Sequence, residues 1–285
     1  MAFPMAVSYS NLLNTHLAGK RSISRSVNNL VEIPDGAEAG AITCTIITAS
    51  TSSALVDGTM LTNDTATTQA SMTYVDNAVT HSVTPSQTKN FFNNPTNITR
   101  IMENHANALD LAGNNSLVAD FVTATPGLVE TLAAGRMDFT IGTVQQNTLM
   151  ISQVARVIGY IADRVNDPVM QNYGIIAGTA AFGNFTALRG ELSNYPIWDA
   201  SISRFTFMGV PIYSTSISTN FGGASKECMF IYHKDAAGFA FKEPGLMAGF
   251  PSIRSDGFLK WVTYGPYAHG VIDANILGSI LNGTS

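Results

Sequence analysis

The sequence predicts an α+β fold in which long helices are followed by mainly antiparallel strands. Apolar residues recur at helical spacing over residues 147–165, and a second helical pattern begins at Pro95. From residue 204 onward, short apolar runs alternate with Gly- and Pro-containing turns, which is typical of β-strands. Residues 50–97 form a long polar excursion between the first predicted strand and the first helix.

The composition favours one large domain with an uncharged polar surface. The chain has 285 residues, a size near the upper limit of a single hydrophobic core. Only 12% of its residues are charged, about half of the usual share of about 25%. Ser, Thr, Asn and Gln must therefore cover much of the surface, and burying such groups against another protein costs little charge desolvation. This composition favours large permanent interfaces.

Charge and cysteine content exclude several classes of protein. A net charge of −5 argues against sequence-specific nucleic-acid binding, which usually needs a basic domain. No apolar run approaches the roughly 18 residues of a membrane span, and the N-terminal residues do not have the pattern of a signal peptide. Cys44 and Cys228 lie in apolar runs, and we expect buried free thiols of an intracellular protein.

Residues 1–31 carry only positive side-chain charges, because they contain Lys20, Arg21 and Arg25 but no Asp or Glu. We interpret this segment as a flexible, solvated N-terminal arm. The sequence leaves two partners open for this arm, an acidic neighbouring surface and nucleic acid.

The middle of the chain predicts one strand, a long excursion and three helical segments. Residues 41–49 are rich in β-branched side chains and predict a strand. Residues 50–97 include 25 Ser, Thr, Asn or Gln among 48 positions and predict a two-stranded excursion, which a neighbouring subunit would have to support. A helix is predicted from Pro95 or Thr96 to Gly113-Asn114, another over 116–135 with a break at Pro126-Gly127, and a third over 147–165.

The search for chemistry gives no catalytic, cofactor or metal site. The five histidines have no partner at metal-ligand spacing, and no phosphate-binding or nucleophile motif is present. His105 lies on the apolar stripe of its helix and is expected to be a buried core or interface residue. The triplet His233-Lys234-Asp235 separates two apolar runs, so we interpret it as a turn between strands. Pro211, after a break at Gly209, predicts a bulge or an edge strand.

Three short motifs in the last third resemble the major capsid protein of tailed bacteriophages, whose fold encapsulins share. They are Gly209-Val210-Pro211-Ile212, then the run from His233 to Ala240, then Tyr264-Gly265. The resemblance implies an N-terminal arm over 1–40 and a strand plus extended loop over 41–95. It further implies a peripheral domain with a spine helix over 96–174, an axial domain over 175–257, and a return to the peripheral domain over 258–285.

The resemblance implies a structural protein and not an enzyme. Copies of the chain would assemble in the host cytoplasm into hexamers and pentamers of an icosahedral shell, and the shell would enclose double-stranded DNA in the virion. A separate scaffolding protein, a portal and decoration proteins are possible partners, DNA contacts are non-specific, and no membrane or cofactor is implied. The alternatives are an encapsulin-like shell around protein cargo and, from another class, a soluble enzyme or sugar-binding domain.

Some capsid proteins crosslink through a lysine in the extended loop, which this chain does not support because no lysine lies between Lys20 and Lys89. We expect that deleting residues 55–80 leaves a folded subunit that forms no stable shells. Charged and aromatic side chains of the arm and loop are the candidate subunit-interface residues: Lys20, Arg21, Arg25, Asp57, Asp64, Tyr74, Asp76 and His81.

Overall fold

The computed structural model describes most of the chain and contains four α-helices within the described residues. These residues are 3–20, 22–28, 33, 40–50, 65–84, 95–132, 144–179, 182, 197–200, 204–216, 229–242, 247–248, 252–253 and 259–282. The helices are α1 (Phe3–Ala18), α2 (Ile23–Ser26), α3 (Pro95–Thr123) and α4 (Val144–Val165).

Fifteen strands form three sheets in the same part of the chain. The strands are β1 (Gly40–Ser50), β2 (Thr65–Val75), β3 (Ala78–Val83), β4 (Leu128–Leu132), β5 (Tyr173–Gly178), β6 (Ile197–Asp199), β7 (Arg204–Phe207), β8 (Val210–Thr215), β9 (Met229–His233), β10 (Ala237–Phe241), β11 (Met247–Ala248), β12 (Ser252–Ile253), β13 (Leu259–Tyr264), β14 (Tyr267–Val271) and β15 (Leu277–Asn282).

The largest sheet has seven strands in the order β4-β15-β9-β5-β8-β7-β6. Two of its ladders, β4 with β15 and β5 with β8, are parallel, and the others are antiparallel. All six residues of β5 and all five of β9 are buried, which explains why both read as continuous apolar runs in the sequence. Helix α4 packs on this sheet through Val154, Val157 and Ile161.

The other two sheets are smaller. One has four antiparallel strands in the order β1-β2-β14-β10. In the other, β13 pairs with β3 along one edge and with the short β11 and β12 along the opposite edge.

Helix α3 joins the two ends of the core because each half of it packs against a different partner. Leu117 and Phe121 of its C-terminal half belong to the main cluster under the seven-stranded sheet. Met102 of its N-terminal half packs with Trp261 of β13, and Leu109 packs with Leu17 of α1. The α+β prediction and the helices beginning at Pro95 and ending at Val165 are therefore confirmed.

The prediction of a flexible N-terminal arm is wrong for residues 3–18, which form α1. Leu13 and Leu17 are almost completely buried against α3. Such a spacing of four residues places both side chains on one face of a helix, and packing on α3 then supplies stability that the local sequence lacks.

The predicted helix stop at Gly113 is also wrong, and the helix predicted over 116–135 is confirmed only as far as Thr123. Helix α3 continues through Gly113 to Thr123, and residues 128–132 form strand β4 instead of a helix. Gly113 lies where a Cβ would approach Phe239 Cζ to 2.6 Å, so this glycine permits close packing and does not end the helix. Strand β4 forms because it pairs in parallel with β15, and the residues of β15 lie much later in the chain.

The expected edge position of Pro211 is not observed, since β8 lies inside the seven-stranded sheet. The turn at Met208-Gly209 is as predicted, and both residues have positive φ angles. Pro211 pairs with Thr206 of β7, whereas pairing with β5 starts only at Ile212. The missing N–H of the proline therefore interrupts no ladder on the β5 side.

The excursion predicted over 50–97 contains two strands, but they pair outside the excursion. Strand β2 lies between β1 and β14, and β3 pairs with β13. Met72 and Tyr74 of β2 are buried. Deleting residues 55–80 would remove this interior strand, so we now expect the deletion to destabilise the subunit instead of leaving it folded.

Alanine substitutions at two helical glycines are expected to change the free energy of unfolding in opposite directions. We expect Gly113→Ala to lower the free energy of unfolding by about 1–2 kcal/mol, because overpacking against Phe239 exceeds the helix-propensity gain. Gly159→Ala in α4 is the matched control, since no heavy atom of the described residues outside its own helical turn lies within 4 Å of its Cβ position. It should raise the free energy of unfolding by up to about 1 kcal/mol. Urea denaturation of both variants measures the difference, and stabilisation by Gly113→Ala would contradict the packing described.

Candidate subunit interface

The polar triplet after β9 is a capped turn. His233 ends the strand with 1% of its surface exposed, and residues Lys234–Ala236 form one turn of 3₁₀-helix before β10. The Asp235 N–H donates to His233 Nδ1 over 3.3 Å, which leaves Nε2–H to donate to Asp167 Oδ2 at 3.2 Å. Hydrogen bonds from the Val169 N–H, Asn172 and His233 lower the pKa of Asp167 to about 2. The turn predicted here is confirmed.

A second histidine–aspartate pair lies elsewhere in the core, where His269 Nδ1 is 2.6 Å from Asp120 Oδ2. Both histidine rings are buried. Among the residues that the structure describes, no group of three or more His, Cys, Asp or Glu side chains could hold a metal ion. In the same part of the chain, no helix has the length and apolar character needed to span a membrane.

His105 is a buried histidine of α3, as its position on the apolar stripe predicts. Its Nδ1 lies 2.7 Å from Thr263 Oγ1, and its ring centroid lies 6.5 Å from that of His81. Burial, with a smaller effect of His81, lowers the pKa of His105 to about 4. The neutral ring is therefore the folded form at physiological pH.

This buried ring makes stability depend on pH. The unfolded chain binds a proton at His105 near pH 6.5 but the folded chain only near pH 4, so stability is full above about 6.5 and falls as the pH drops towards 4. We expect this residue to contribute on the order of 2 kcal/mol to that loss. Urea denaturation between pH 7.5 and 4.5 should show a smaller acid loss for His105→Gln than for the wild type. Equal losses would contradict the assignment.

Two of the candidate interface residues, Lys20 and Arg25, line one cavity. Lys20 Nζ donates to Asn107 Oδ1 of α3, and the Arg25 guanidinium carbon lies 5.3 Å from the ring centroid of Phe241. Arg204 and Lys234, which the sequence prediction missed, line the same cavity. We call this cavity of about 600 Å³ the basic cleft and define it by Lys20, Arg25, Arg204 and Lys234.

The other candidate residues lie apart from this cleft. Tyr74 is buried inside the subunit, and burial followed by the charge of Asp76 raises its pKa. Asp76 is exposed in the turn between β2 and β3, and His81 is exposed on β3. Arg21, Asp57 and Asp64 lie outside the described residues, as does Cys228. An interface role for all eight residues stays a prediction.

An apolar cleft adjoins the basic cleft, and Ser22, Arg204 and Tyr213 line both. Its volume is about 640 Å³, and its apolar lining includes Leu111 and Trp198, which are 54% and 48% exposed. The Trp198 ring makes an edge contact with Phe205, their centroids 5.1 Å apart. Large exposed apolar side chains beside charged ones are typical of a protein–protein interface.

Sequence prediction missed these two clefts for a simple reason. Their lining residues come from many separate parts of the chain, including α2, α3, β6, β7, β8 and the turn after β9, so no local pattern marks them. The basic residues between positions 20 and 25 were the only feature of the sequence that indicated part of the basic cleft.

Comparison with solved structures identifies the fold. Neither a protein-family model nor a curated protein matches the chain by sequence. A virus-like particle from Pyrococcus furiosus matches with a TM-score of 0.57 and 8% identity, over 97% of this chain and 99% of that one. The mature capsid of bacteriophage PhiM1 matches with a TM-score of 0.57 and 12% identity, over 93% and 88% of the two chains. This chain has the phage capsid fold. A third capsid-fold structure, the procapsid of satellite phage P4 with its size determination protein, matches over 96% and 91% with a TM-score of 0.53 and 10% identity.

Proposed function

We propose that the protein is the major capsid subunit of a tailed phage and that its copies assemble into an icosahedral shell around double-stranded DNA. The observation that carries this proposal is the match to capsid structures over nearly the whole length of both chains. The uncharged polar surface and the two adjacent clefts also suit a protein whose function is to bury surface against its own copies.

The roles of the segments are part of the proposal. Residues 1–40 are the N-terminal segment, 41–95 the strand and extended loop, 96–174 the peripheral domain, 175–257 the axial domain, and 258–285 the return. Helix α3 suits a spine, because it joins the two ends of the core. Strands β4 and β15 contribute to the same sheet as β5 to β9, so the peripheral and axial parts share one core.

Partners follow from the same proposal. The subunit forms hexamers and pentamers, and a scaffolding protein, a portal, decoration proteins and packaged DNA are its further partners in the virion. The P4 procapsid that shares the fold contains a size determination protein, which supports an assembly partner of that kind here. Assembly takes place in the host cytoplasm, and catalysis is not part of the function.

A protein-cargo shell is the second candidate, because a virus-like particle shares the fold over 97% of this chain and the fold alone does not distinguish protein cargo from DNA. Electron microscopy of the purified protein tests both candidates together. Closed shells some hundreds of ångströms across are expected, whereas a monomer or small dimer at high concentration would contradict both. Particles isolated from the organism that makes them should contain DNA, and particles with protein cargo and no DNA would favour the second candidate.

A further inference from the structure

The turn between β7 and β8 holds a bulky side chain in a left-handed backbone conformation. Phe207 pairs with Val210, so Met208 and Gly209 form a two-residue hairpin loop. Their φ angles are 52° and 81°, and the common tight hairpin turn requires positive values at both positions. Asparagine and glycine adopt this conformation readily, whereas a bulky side chain such as methionine is unfavourable there. The local backbone therefore gives no reason for a methionine at this position.

Burial within the subunit offsets little of this strain, because Met208 is 47% exposed. Val169 is exposed to the same extent. The two residues directly precede two that lie side by side, since a Cβ at Gly209 would lie 3.4 Å from Met170 Cβ. We call the pair Val169 and Met208 the apolar tip.

Hydrogen bonds fix the backbone on the Val169 side of the apolar tip. The Val169 N–H donates to Asp167 Oδ1 over 2.8 Å, and the Asn172 amide donates to Asp167 Oδ2 over 2.6 Å. His233 Nε2 lies 3.2 Å from the same oxygen, and the Tyr173 hydroxyl donates to the Asp167 carbonyl. Covering side chains on a backbone that is already fixed costs little further ordering. The apolar tip is therefore a suitable anchor for a binding partner.

The apolar cleft lies at the other end of the same hairpin. Its lining includes Arg204 at the start of β7 and residues 214–216 at the end of β8, whereas Met208 lies at the turn. The length of β7 separates the two features by roughly 10 Å. Neither residue of the apolar tip is among the described residues that line the cleft. The tip of a subunit consequently lies outside its own cleft.

The cleft has the chemistry that an apolar side chain requires. Leu111 and Trp198 are both about half exposed in it. Arg204 is the only charged residue among the described residues that line it, and its guanidinium carbon lies 4.1 Å from the ring centroid of Tyr213. Filling the cleft therefore desolvates no carboxylate or lysine of the described lining. A methionine side chain is flexible and polarisable, so it adapts to an irregular cleft and contacts aromatic rings favourably.

We propose that the apolar tip of one subunit inserts into the apolar cleft of a second copy of the chain. This inference rests on the proposed function, because it requires a neighbouring copy. A second copy is the partner because every subunit carries both halves of the contact at opposite ends of one hairpin, where they do not meet within one chain. Such a contact joins copies head to tail and closes into a ring when the rotation between copies permits. Burial of Met208 in the neighbour then offsets the strain of its backbone.

Met208→Asn tests the contact, because asparagine is the preferred residue at this position of the turn. The unassembled subunit should be at least as stable as the wild type, since asparagine tolerates the left-handed conformation. The yield of shells should nevertheless fall on the order of tenfold, because the lost contact is repeated at every copy. Met208→Leu is the matched control, which keeps an apolar side chain and should assemble like the wild type. Thermal denaturation of unassembled subunits and electron microscopy of the particles give the two readouts.

A crosslink tests whether the contact joins two copies. In a variant without Cys44 and Cys228, Met208→Cys combined with Leu111→Cys should give a ladder of covalent oligomers when assembled particles react with a short thiol crosslinker. Each single substitution should leave the chains monomeric under denaturing conditions. Crosslinks within single chains, or no crosslinks, would overturn the proposed contact.

Two outcomes separate this contact from the proposed function. Wild-type shells together with an unchanged yield from Met208→Asn would overturn the contact between tip and cleft and leave the capsid function standing. Absence of shells from the wild type would instead overturn the proposed function.

Discussion

Replacement of residues 52–63 by a four-residue Gly/Ser linker is expected to give a folded subunit that forms no stable shells. The linker leaves β1 and β2 complete, and their last paired residues, Ser50 and Thr65, are close enough for a short connection. The replacement removes Asp57 and most of the polar connection that we propose to overlap a neighbouring subunit. Each subunit contact in a closed shell is repeated many times, so the loss of one contact per copy has a large effect on assembly.

Electron microscopy and size-exclusion chromatography measure the assembly of this variant, and thermal denaturation measures its folding. A variant with a Gly/Ser linker of twelve residues is the matched control, because it restores the length but not the side chains. Assembly of the long-linker variant would show that only length matters. Shells as stable as those of the wild type from the short-linker variant would contradict the extended-loop proposal.

Phe121→Ala is expected to destabilise the subunit itself by about 3–5 kcal/mol, because it leaves a cavity in the main core. Phe121 is completely buried on α3, and its ring centroid lies 5.2 Å from that of Tyr232 and 6.2 Å from that of Phe230. A loss of this size is a large share of the about 5–15 kcal/mol that holds a typical domain together. Urea denaturation of unassembled subunits measures it.

Leu111→Ala is the matched control on the same helix. Leu111 is 54% exposed and lines the apolar cleft, so the free energy of unfolding should change by no more than about 0.5 kcal/mol. Assembly should nevertheless weaken if the apolar cleft contacts another copy. Equal effects of Phe121→Ala and Leu111→Ala on subunit unfolding would contradict the assignment of core and surface along α3.

Elements with strong local patterns could be predicted from the sequence. Helix α4 repeats apolar residues at helical spacing, and the buried strands β5 and β9 are continuous apolar runs between polar turns. The turn at His233 could also be predicted, because a polar step between two apolar runs marks the exit from a strand. In each of these elements, the residues that determine the structure are neighbours in the sequence. A local pattern is therefore sufficient to predict the element.

Elements that depend on distant partners could not be predicted. Residues 128–132 form a strand only because β15 lies beside them, and Gly113 is explained only by Phe239. The basic cleft combines residues from positions 20 to 234, so its charge is invisible in any short window of the sequence. Helix α1 escaped prediction because α3, about 90 residues later, stabilises it.

The position of β15 has a consequence for the timing of folding. This strand, residues 277–282, lies between β4 and β9 and is therefore among the interior strands of the largest sheet. A ribosome must synthesise nearly the whole described chain before β4 gains its partner. Contacts between residues so distant in sequence form slowly, because the loop between them must close first. The core of a nascent chain therefore stays incomplete until synthesis passes residue 282. Chains that terminate before this point lack β15 and are incorporated poorly into an assembling particle.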